Sequence, residues 1–500
     1  MQREPVTLNQ ILAWLDLPPV VTDVPVRELA LDSRKVAAGD LFLAVPGLSS
    51  DGRQYIRQAV AAGACAVLAQ TDDRLSVAAS VSAVPLVWIV DLKARLGGLV
   101  NRFYCSPSGH VKVIGVTGTN GKSSCCHFMA QLLCRLDTSC GVMGTLGNGI
   151  FPDLMPTGNT TADNVSIQRF MAGLVDKAVP WLAMEVSSHG LHQGRVSGIV
   201  FNTAVYTNLS RDHLDYHQTM EAYAAAKAEL FRSPGLQHAV INLDDDQANR
   251  MLAAAADNQV SGVTCSIDSG KADVCLSDIV FSPEGMVAHL RTPWGGGRLS
   301  TSLLGKFNLS NLVAVIAVLG LQGFALESVL ALIPQLDSVP GRLNTFGEVG
   351  QPTVVVDYAH TPDALRSVLN ALHDHGGESV TCVFGCGGDR DRGKRPLMTE
   401  VALAGADRVV LTSDNPRTED PLGIIEDAMT GIPAELHEQK LKVVPDRARA
   451  IAMAVAEAGS DDIVLIAGKG HEDYQEIHGV RYPFSDMHEV RQALNRRAVS

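Results

Sequence analysis

The sequence predicts an α/β protein of three domains, with a central doubly wound sheet of the P-loop type and a Rossmann-like C-terminal domain. Three observations carry this. A glycine-rich turn, Gly115-Val-Thr-Gly-Thr-Asn-Gly-Lys-Ser-Ser124, joins the apolar run Val111-Lys-Val-Ile114 to a helix-like segment beginning near Lys122. Further on, short apolar runs alternate with helical segments, the pattern of strands and crossover helices in a parallel sheet. Finally, 500 residues at 46% hydrophobic can bury several cores, and the length suggests about three domains.

Residues 1–105 mix short apolar runs such as Leu41-Phe-Leu-Ala-Val45 with turn signals at Pro46-Gly47 and Asp51-Gly52, and read as a small α/β domain. Residues 106–339 follow, with strands expected at Val111–Gly118, Trp181–Glu185, Val200–Thr207 and Ala239–Leu243 in a mostly parallel sheet. The cluster Trp294-Gly-Gly-Gly297 reads as a hairpin turn. A change at Val339-Pro-Gly-Arg342 opens the third domain, 340–500, where strands at Thr353–Val356, Val380–Phe384, Arg408–Thr412 and Ile463–Ala467 alternate with longer helical stretches.

A formal charge of -13 argues against a general nucleic-acid or anionic-membrane surface, so any phosphate site must be locally electropositive. The first ten residues lack an apolar signal core, and no stretch reaches the roughly 18 apolar residues of a spanning helix. A cytoplasmic protein without membrane insertion is expected. Ten cysteines are scattered without CxxC spacing, Cys125 and Cys126 on the helix after the glycine turn and Cys382 and Cys386 on or just after a strand, which reads as reduced thiols.

Glycines let backbone approach an anion closely, the NH groups of a helix start point at it, and Lys122 adds positive charge, so the turn reads as a phosphate site with Ser123 placed to hold magnesium. Five residues rather than four separate Gly115 from Gly121, a departure from the strict Walker A spacing. Glu185 ends an apolar strand, where a carboxylate can reach magnesium near phosphates, or can be a buried structural acid. On local sequence alone His213 reads as a hydrogen-bonded loop histidine, and Lys227, on an alanine-rich helix, as a solvated surface lysine.

Taken together, Gly118-Thr-Asn-Gly-Lys-Ser123, Glu185-Val-Ser-Ser-His189, Asn208-Leu-Ser-Arg-Asp-His213, Gly305-Lys-Phe-Asn-Leu-Ser-Asn311 and Asp357-Tyr-Ala-His360 resemble, in order, the motifs of the Mur ligases. The resemblance implies ATP-dependent addition of an amino acid to a UDP-N-acetylmuramoyl precursor of peptidoglycan, with Mg2+ as cofactor. It implies that Gly118, Thr119, Asn120, Gly121, Lys122, Ser123 and Ser124 cradle the ATP phosphates. Asn308 and Asn311 would lie near the adenine, while Arg342, Asp357 and His360 close on the nucleotide. Ser123 and Glu185 would hold one magnesium ion, His213 and Lys227 a second, with Lys227 carbamylated so that an ammonium becomes a carboxylate-like ligand. Lys122, Glu185, His213 and Lys227 form the implied catalytic set.

Leu31-Asp-Ser-Arg34, Gly158-Asn-Thr-Thr161, Gly385-Cys-Gly-Gly-Asp-Arg390, Asp414-Asn-Pro-Arg417 and Gly468-Lys-Gly-His-Glu472 resemble family members that add the third stem residue, meso-diaminopimelate, to UDP-N-acetylmuramoyl-L-alanyl-D-glutamate. For the UDP-sugar peptide the resemblance implies Leu31, Ser33, Leu48, Ser49, Ser50, Asn159, Thr160, Thr161, Ser187, Gln193 and Arg195. For diaminopimelate it implies Arg390, Asp414, Asn415, Pro416, Arg417, Gly468 and Glu472. Arg417 offers a planar fork for the distal carboxylate that lysine lacks, although an Asn-Pro-Arg surface turn is the plainer local reading. Two alternatives stand beside this one: folylpolyglutamate synthase, which shares ATP-dependent amide ligation and a similar glycine turn, and a non-catalytic nucleotide-binding protein on the same fold.

Overall fold

The glycine turn lies between strand Lys112–Thr117 and helix Lys122–Arg135 in the computed structural model, which describes residues 5–47, 50–72, 77–81, 84–282, 285–348, 350–375, 379–433 and 439–499. The chain divides into two units: Met1–Gly115 with Thr138–Asn202 and Ser233–Gln237, and Val116–Asp137 with Thr203–Arg232 and His238–Ser500.

In the first unit a five-stranded sheet orders Leu29–Ala30, Leu41–Ala44, Ala66–Thr71, Val84–Val90 and Val77–Val81, all parallel except the last. Leu41–Ala44 is buried at every position, as expected of a parallel strand covered on both faces. Trp181–Glu185 pairs parallel with Cys140–Gly144, which continues antiparallel into Gly147–Ile150 and Asp153–Met155. Helix Asn164–Asp176 starts where Asp163 accepts the Ser166 backbone NH at 2.9 Å.

In the second unit Thr203–Tyr206, His238–Asn242, Gly262–Ser266 and the start of Val274–Ser282 run parallel, and Gly285–Thr292 and Gly295–Thr301 add antiparallel strands. The sheet is thus parallel where crossover helices intervene and antiparallel where short turns do, a qualification of the mostly parallel sheet expected. The expected hairpin at Trp294 is present, but its glycines belong to the returning strand: Gly295, Gly296 and Gly297 pair with Thr292, Arg291 and Leu290. The expected strand Val200–Thr207 is confined to Thr203–Tyr206.

The six-stranded sheet runs Asn344–Phe346, Thr353–Asp357, Ile463–Ala467, Val380–Cys386, Arg408–Ser413 and Leu441–Val443. Alternation sorts its side chains to two faces. Val355, Cys382, Phe384, Leu411 and Leu465 pack against Leu369, Met398 and Ile424, while Val354, Val356, Val383, Val410 and Ile466 pack against Ile451, Ala454, Val490 and Leu494. Strand ends therefore carry loops at a common carboxyl edge: Asp357, Gly387, Asp414 and Gly468 all sit there. All ten cysteines are free, as expected, with Cys382 and Cys386 both on the strand Val380–Cys386.

Arg447 and Asp486 form a fully buried pair, Nε to Oδ1 and Nη2 to Oδ2 both at 2.7 Å, and Nη2 also donates to the Ala467 carbonyl at 2.9 Å. Arg447→Met strands a buried carboxylate at a cost of about 3–5 kcal/mol. A clear drop in thermal unfolding temperature is expected, largely recovered by Arg447→Met with Asp486→Leu; equal melting of the single variant and the parent contradicts this.

Candidate active site

The glycine turn, the candidate phosphate loop, is shaped by close backbone approach. A Cβ on Gly118 would collide with the Thr207 hydroxyl, and one on Gly121, which has a φ of +86°, would collide with the Asn311 side chain. Those contacts moor the loop: Thr119 and Asn120 donate to Asn208 O and Oδ1 at 2.8 and 2.9 Å, and Thr207 Oγ1 donates to Asn120 O at 2.6 Å. Lys122 Nζ donates to Gly118 O and Thr119 O, both at 2.7 Å, so the ammonium lies over the loop. Ser123 and Ser124 are buried in the first helical turn, where backbone NH groups and the helix dipole favour an anion.

Lys227 is 1% exposed on helix Met220–Ala228, so it is no surface lysine. Its Nζ lies 4.4 Å from the centre of the Tyr223 ring, whose hydroxyl is 3.2 Å from Thr119 Oγ1. Burial, then the Lys122 charge, hold the amine well below the ordinary lysine range, with Asp212 and Asp245 opposing. The same Tyr223 meets the His213 ring edge-on at 6.0 Å.

His213 starts a short helix with φ +54°, and its Nε2 is 3.4 Å from Asp212 Oδ2. Asp212 also faces His360 Nε2 at 3.7 Å and the buried Lys394 Nζ at 3.8 Å. Burial pushes its carboxyl upward, but the facing His360 ring and the charges of His213 and Lys394 outweigh it and hold the group well below the usual carboxylate range. Asp357 is moved the other way, raised by burial, although it accepts Leu343 and Ala359 NH groups at 2.8 and 2.7 Å. The Arg342 guanidinium stacks 4.6 Å over Tyr358, and His360 Nδ1 lies 2.9 Å from Tyr358 O. Ser124, Asn308 and Arg342 line one cavity of about 220 Å³ with Phe128, Leu303 and Val339. Asn308 Oδ1 lies 3.4 Å from Asn311 Nδ2.

In the first unit Glu185 is buried and accepts from Thr145 N and Oγ1 at 2.9 and 3.1 Å. The Thr160 hydroxyl is 3.0 Å from that of Thr145, and Thr161 Oγ1 donates to Glu185 O at 2.9 Å. Ser187 caps its short helix through Gly190 N, and its Oγ lies 3.1 Å from Thr161 Oγ1. Arg195 donates to Thr161 O at 2.7 Å and to Gln193 Oε1 at 2.9 Å. Thr160, Thr161, Glu185, Ser187, Gln193 and Arg195 thus form one cluster, with Asn159 next in chain. Ser33 is buried and bonded to Gln58 at 3.2 Å two residues beyond Leu31; Ser50 is exposed, and Leu48 and Ser49 lie outside the described residues.

The Asp414–Arg417 loop closes on Gly468–Glu472. Asn415 Nδ2 donates to Glu472 Oε2 at 2.8 Å, and Gln475 holds Asp414 O at 2.7 Å. A Cβ on Gly468 would come within 2.6 Å of Asp414 Oδ2, so glycine is needed for the approach. Arg417 adopts φ +54°, its NH donates to Glu476 O at 2.9 Å, and its Nη1 donates to Gly388 O at 2.7 Å. Pro416 lies between, its carbonyl against Gly388, and Arg390 is exposed with Nη1 on Asp389 O.

Local sequence did not single out Asp212, Tyr223, Lys394, Thr145, Thr207 or Lys469. Asp212 and Lys469 sit inside quoted motifs, a signal that was available. Tyr223, four residues before Lys227 on one helix face, had only its spacing to mark it.

Residues 25–104 match the Mur ligase family catalytic domain, 116–319 the Mur ligase middle domain and 341–470 the Mur ligase glutamate ligase domain. The chain belongs to the Mur ligase family. It is 48% identical over 491 residues to the UDP-N-acetylmuramoyl-L-alanyl-D-glutamate--2,6-diaminopimelate ligase of Pseudomonas aeruginosa, covering 98% of each chain. The Coxiella burnetii ligase of the same name is 46% identical over 95% of this chain and 97% of that one. A solved structure of a ligase so named superimposes with TM-score 0.70 at 40% identity, over 99% of this chain and 100% of that one. A Mycobacterium tuberculosis folylpolyglutamate synthase complexed with ADP and AMPPCP reaches TM-score 0.61 at 20% identity over 74% of this chain and 91% of that one, a likeness of fold alone.

The buried Lys227 amine has a stability signature. The unfolded chain binds its proton up to the ordinary lysine value of 10.5 and the folded chain does not, so this group makes stability rise with pH across that window. Lys227→Met should melt higher than the parent at neutral pH and show a shallower rise in melting temperature toward about pH 9 in bicarbonate-free buffer. An unchanged slope contradicts a buried neutral amine.

Proposed function

We propose that this ligase joins meso-diaminopimelate to the D-glutamate γ-carboxylate of UDP-N-acetylmuramoyl-L-alanyl-D-glutamate, with ATP converted to ADP and phosphate, as a cytoplasmic step of peptidoglycan precursor synthesis. The observation that carries the substrate choice is the Asp414–Arg417 loop: Arg417 is held across Gly388, and on the same loop Asn415 is bonded to Glu472, which puts a fork for a carboxylate and an acid for an ammonium on one pair of loops. Diaminopimelate offers both groups at its distal end; lysine offers only the ammonium. The high identity to ligases named for this reaction supports the same reading.

A carboxylate is a poor electrophile, so the γ-carboxylate is first phosphorylated by ATP. The diaminopimelate amine then attacks the acyl phosphate, and phosphate leaves from the tetrahedral intermediate. The loop NH groups and Lys122 would stabilise charge on the phosphoryl oxygens, and the cavity at Ser124, Asn308 and Arg342 would take the nucleotide. Asp357 and His360 would approach it from the third domain. The three domains we assign are 1–105 for the UDP moiety, 106–339 for ATP and 340–500 for the amino acid. Neither nucleic acid nor membrane is part of the reaction.

Among the described residues no three His, Cys, Asp or Glu side chains gather into a metal cage. That suits magnesium, which takes one or two protein oxygens and completes its sphere with phosphates and water. Ser123 and Glu185 are hard oxygen donors of that kind; His213 and a carbamylated Lys227 would serve a second ion. When bound, magnesium would neutralise phosphate charge. Lys227 is suited to carbamylation because a neutral amine attacks carbon dioxide, forming the N–C bond and releasing one proton to solvent, and the resulting anion would set a negative charge near the Lys122 ammonium.

The reading is tested by mass spectrometry of products formed from the UDP-linked dipeptide, ATP and either meso-diaminopimelate or L-lysine. Product with diaminopimelate alone is expected; product with lysine alone contradicts the Arg417 argument, and no product contradicts the ligase reaction. Arg417→Ala should cut kcat/KM for diaminopimelate by roughly a hundredfold, as expected for a lost charge-assisted pair. Lys227→Ala should lose activity and regain part of it with added short carboxylic acids; full activity without them contradicts carbamylation.

A further inference from the structure

Lys469 is a fully buried cation of the amino-acid pocket, and among the described residues its ammonium meets Asn415, Glu472 and Tyr474. Its Nζ lies 3.0 Å from Asn415 Oδ1 and 3.0 Å from Glu472 Oε2, and 5.5 Å from the centre of the Tyr474 ring, with the side chain 0% exposed. Asn415 Oδ1 accepts a second hydrogen bond from Glu476 N at 2.9 Å. Two donors on one oxygen fix which way the amide faces, so Nδ2 is turned to Glu472 Oε2 at 2.8 Å. Lys469 and Asn415 both converge on Oε2, and Glu472 Oε1 takes no hydrogen bond or ion pair among the described residues.

The charges around it are few. Asp414 and Glu472 are the acids of the two loops, Arg417 and Lys469 their cations; Arg447 is committed to Asp486, Arg481 over the Tyr474 ring is paired with Glu476 at 3.6 Å, and Arg390 is exposed to solvent screening. With Lys469 the set is balanced, which suits a distal end that is itself a zwitterion. Without it the pocket carries an uncompensated carboxylate, which suits a distal end that is only an ammonium. Burial makes the difference large, because charges interact more strongly away from water.

We propose that Lys469 is a positioning residue that sets amino-acid specificity: it orients Asn415 and Glu472 and supplies the positive charge that makes the pocket prefer a zwitterionic side chain to a cationic one. Lys469 would not touch the amino acid; it acts through the two side chains it holds. This rests on the diaminopimelate reading above and goes beyond it, since that reading assigns the discrimination to Arg417.

The test is kcat/KM for meso-diaminopimelate and for L-lysine in the full-length enzyme, comparing the parent with Lys469→Gln, which keeps a hydrogen-bond donor without the charge, and with Lys469→Arg, which keeps the charge. Lys469→Gln should raise KM for diaminopimelate roughly tenfold with a much smaller change in kcat, and lower the diaminopimelate-to-lysine ratio of kcat/KM by about tenfold. Lys469→Arg should keep most of that ratio. A purely structural role would lower both substrates together and leave the ratio intact, which overturns the proposal. Should Lys469→Gln fail to fold by thermal unfolding, Asn415→Asp makes the same change in net charge with the lysine still paired. It should lower the ratio, and an unchanged ratio overturns the proposal equally. A parent enzyme that makes no diaminopimelate product overturns the functional reading itself; a parent that makes it, with unchanged ratio in the variants, overturns the role of Lys469 alone.

Discussion

The close approach of the glycine turn to Thr207, Asn208 and Asn311 is the constraint on which the proposed active centre is built. Gly118 and Gly121 permit it by lacking a side chain where Thr207 and Asn311 press in. Lys122 is folded over the loop's carbonyls, with the helix start behind it. Preorganised donors are what phosphoryl transfer asks of a protein, since the chemistry needs charge stabilisation more than covalent participation. In a chain of net charge -13, this local positive centre must be constructed rather than inherited from composition.

Its consequence reaches Lys227. A second ammonium near Lys122, buried under Tyr223, is disfavoured by desolvation and by like charge. Asp212 shows the converse: burial alone would protonate it, but His213, His360 and Lys394 surround it with positive or donating groups and keep it ionised. Tyr223 ties the two settings together, its hydroxyl at Thr119 and its ring against Lys227 and His213.

Much of this was legible in the sequence because glycines, strand ends and period-two apolar runs are local signals. Trp181–Glu185 and Ile463–Ala467 stand at their expected limits. The burial of Lys227 was not legible, because an alanine-rich helix with one lysine looks the same on a surface as beneath a tyrosine contributed by its own preceding turn. The hairpin at Trp294 was legible but the extent of its returning strand was not, because Gly295, Gly296 and Gly297 read as turn, whereas pairing to Thr292, Arg291 and Leu290 draws them into the ladder. Arg417 is a left-handed turn residue, as the Asn-Pro-Arg sequence suggests, and the bond from its guanidinium to Gly388 O across the fold is a long-range contact that local sequence does not show.

The central claim is that the loop and its cations serve transfer of phosphate to the substrate carboxylate, forming an acyl phosphate. It is tested most directly by placing heavy oxygen in the D-glutamate γ-carboxylate of the UDP-linked substrate and analysing the inorganic phosphate released. The account predicts that one labelled oxygen passes from the carboxylate to phosphate with each amide formed. Unlabelled phosphate, or label recovered in AMP, would contradict it.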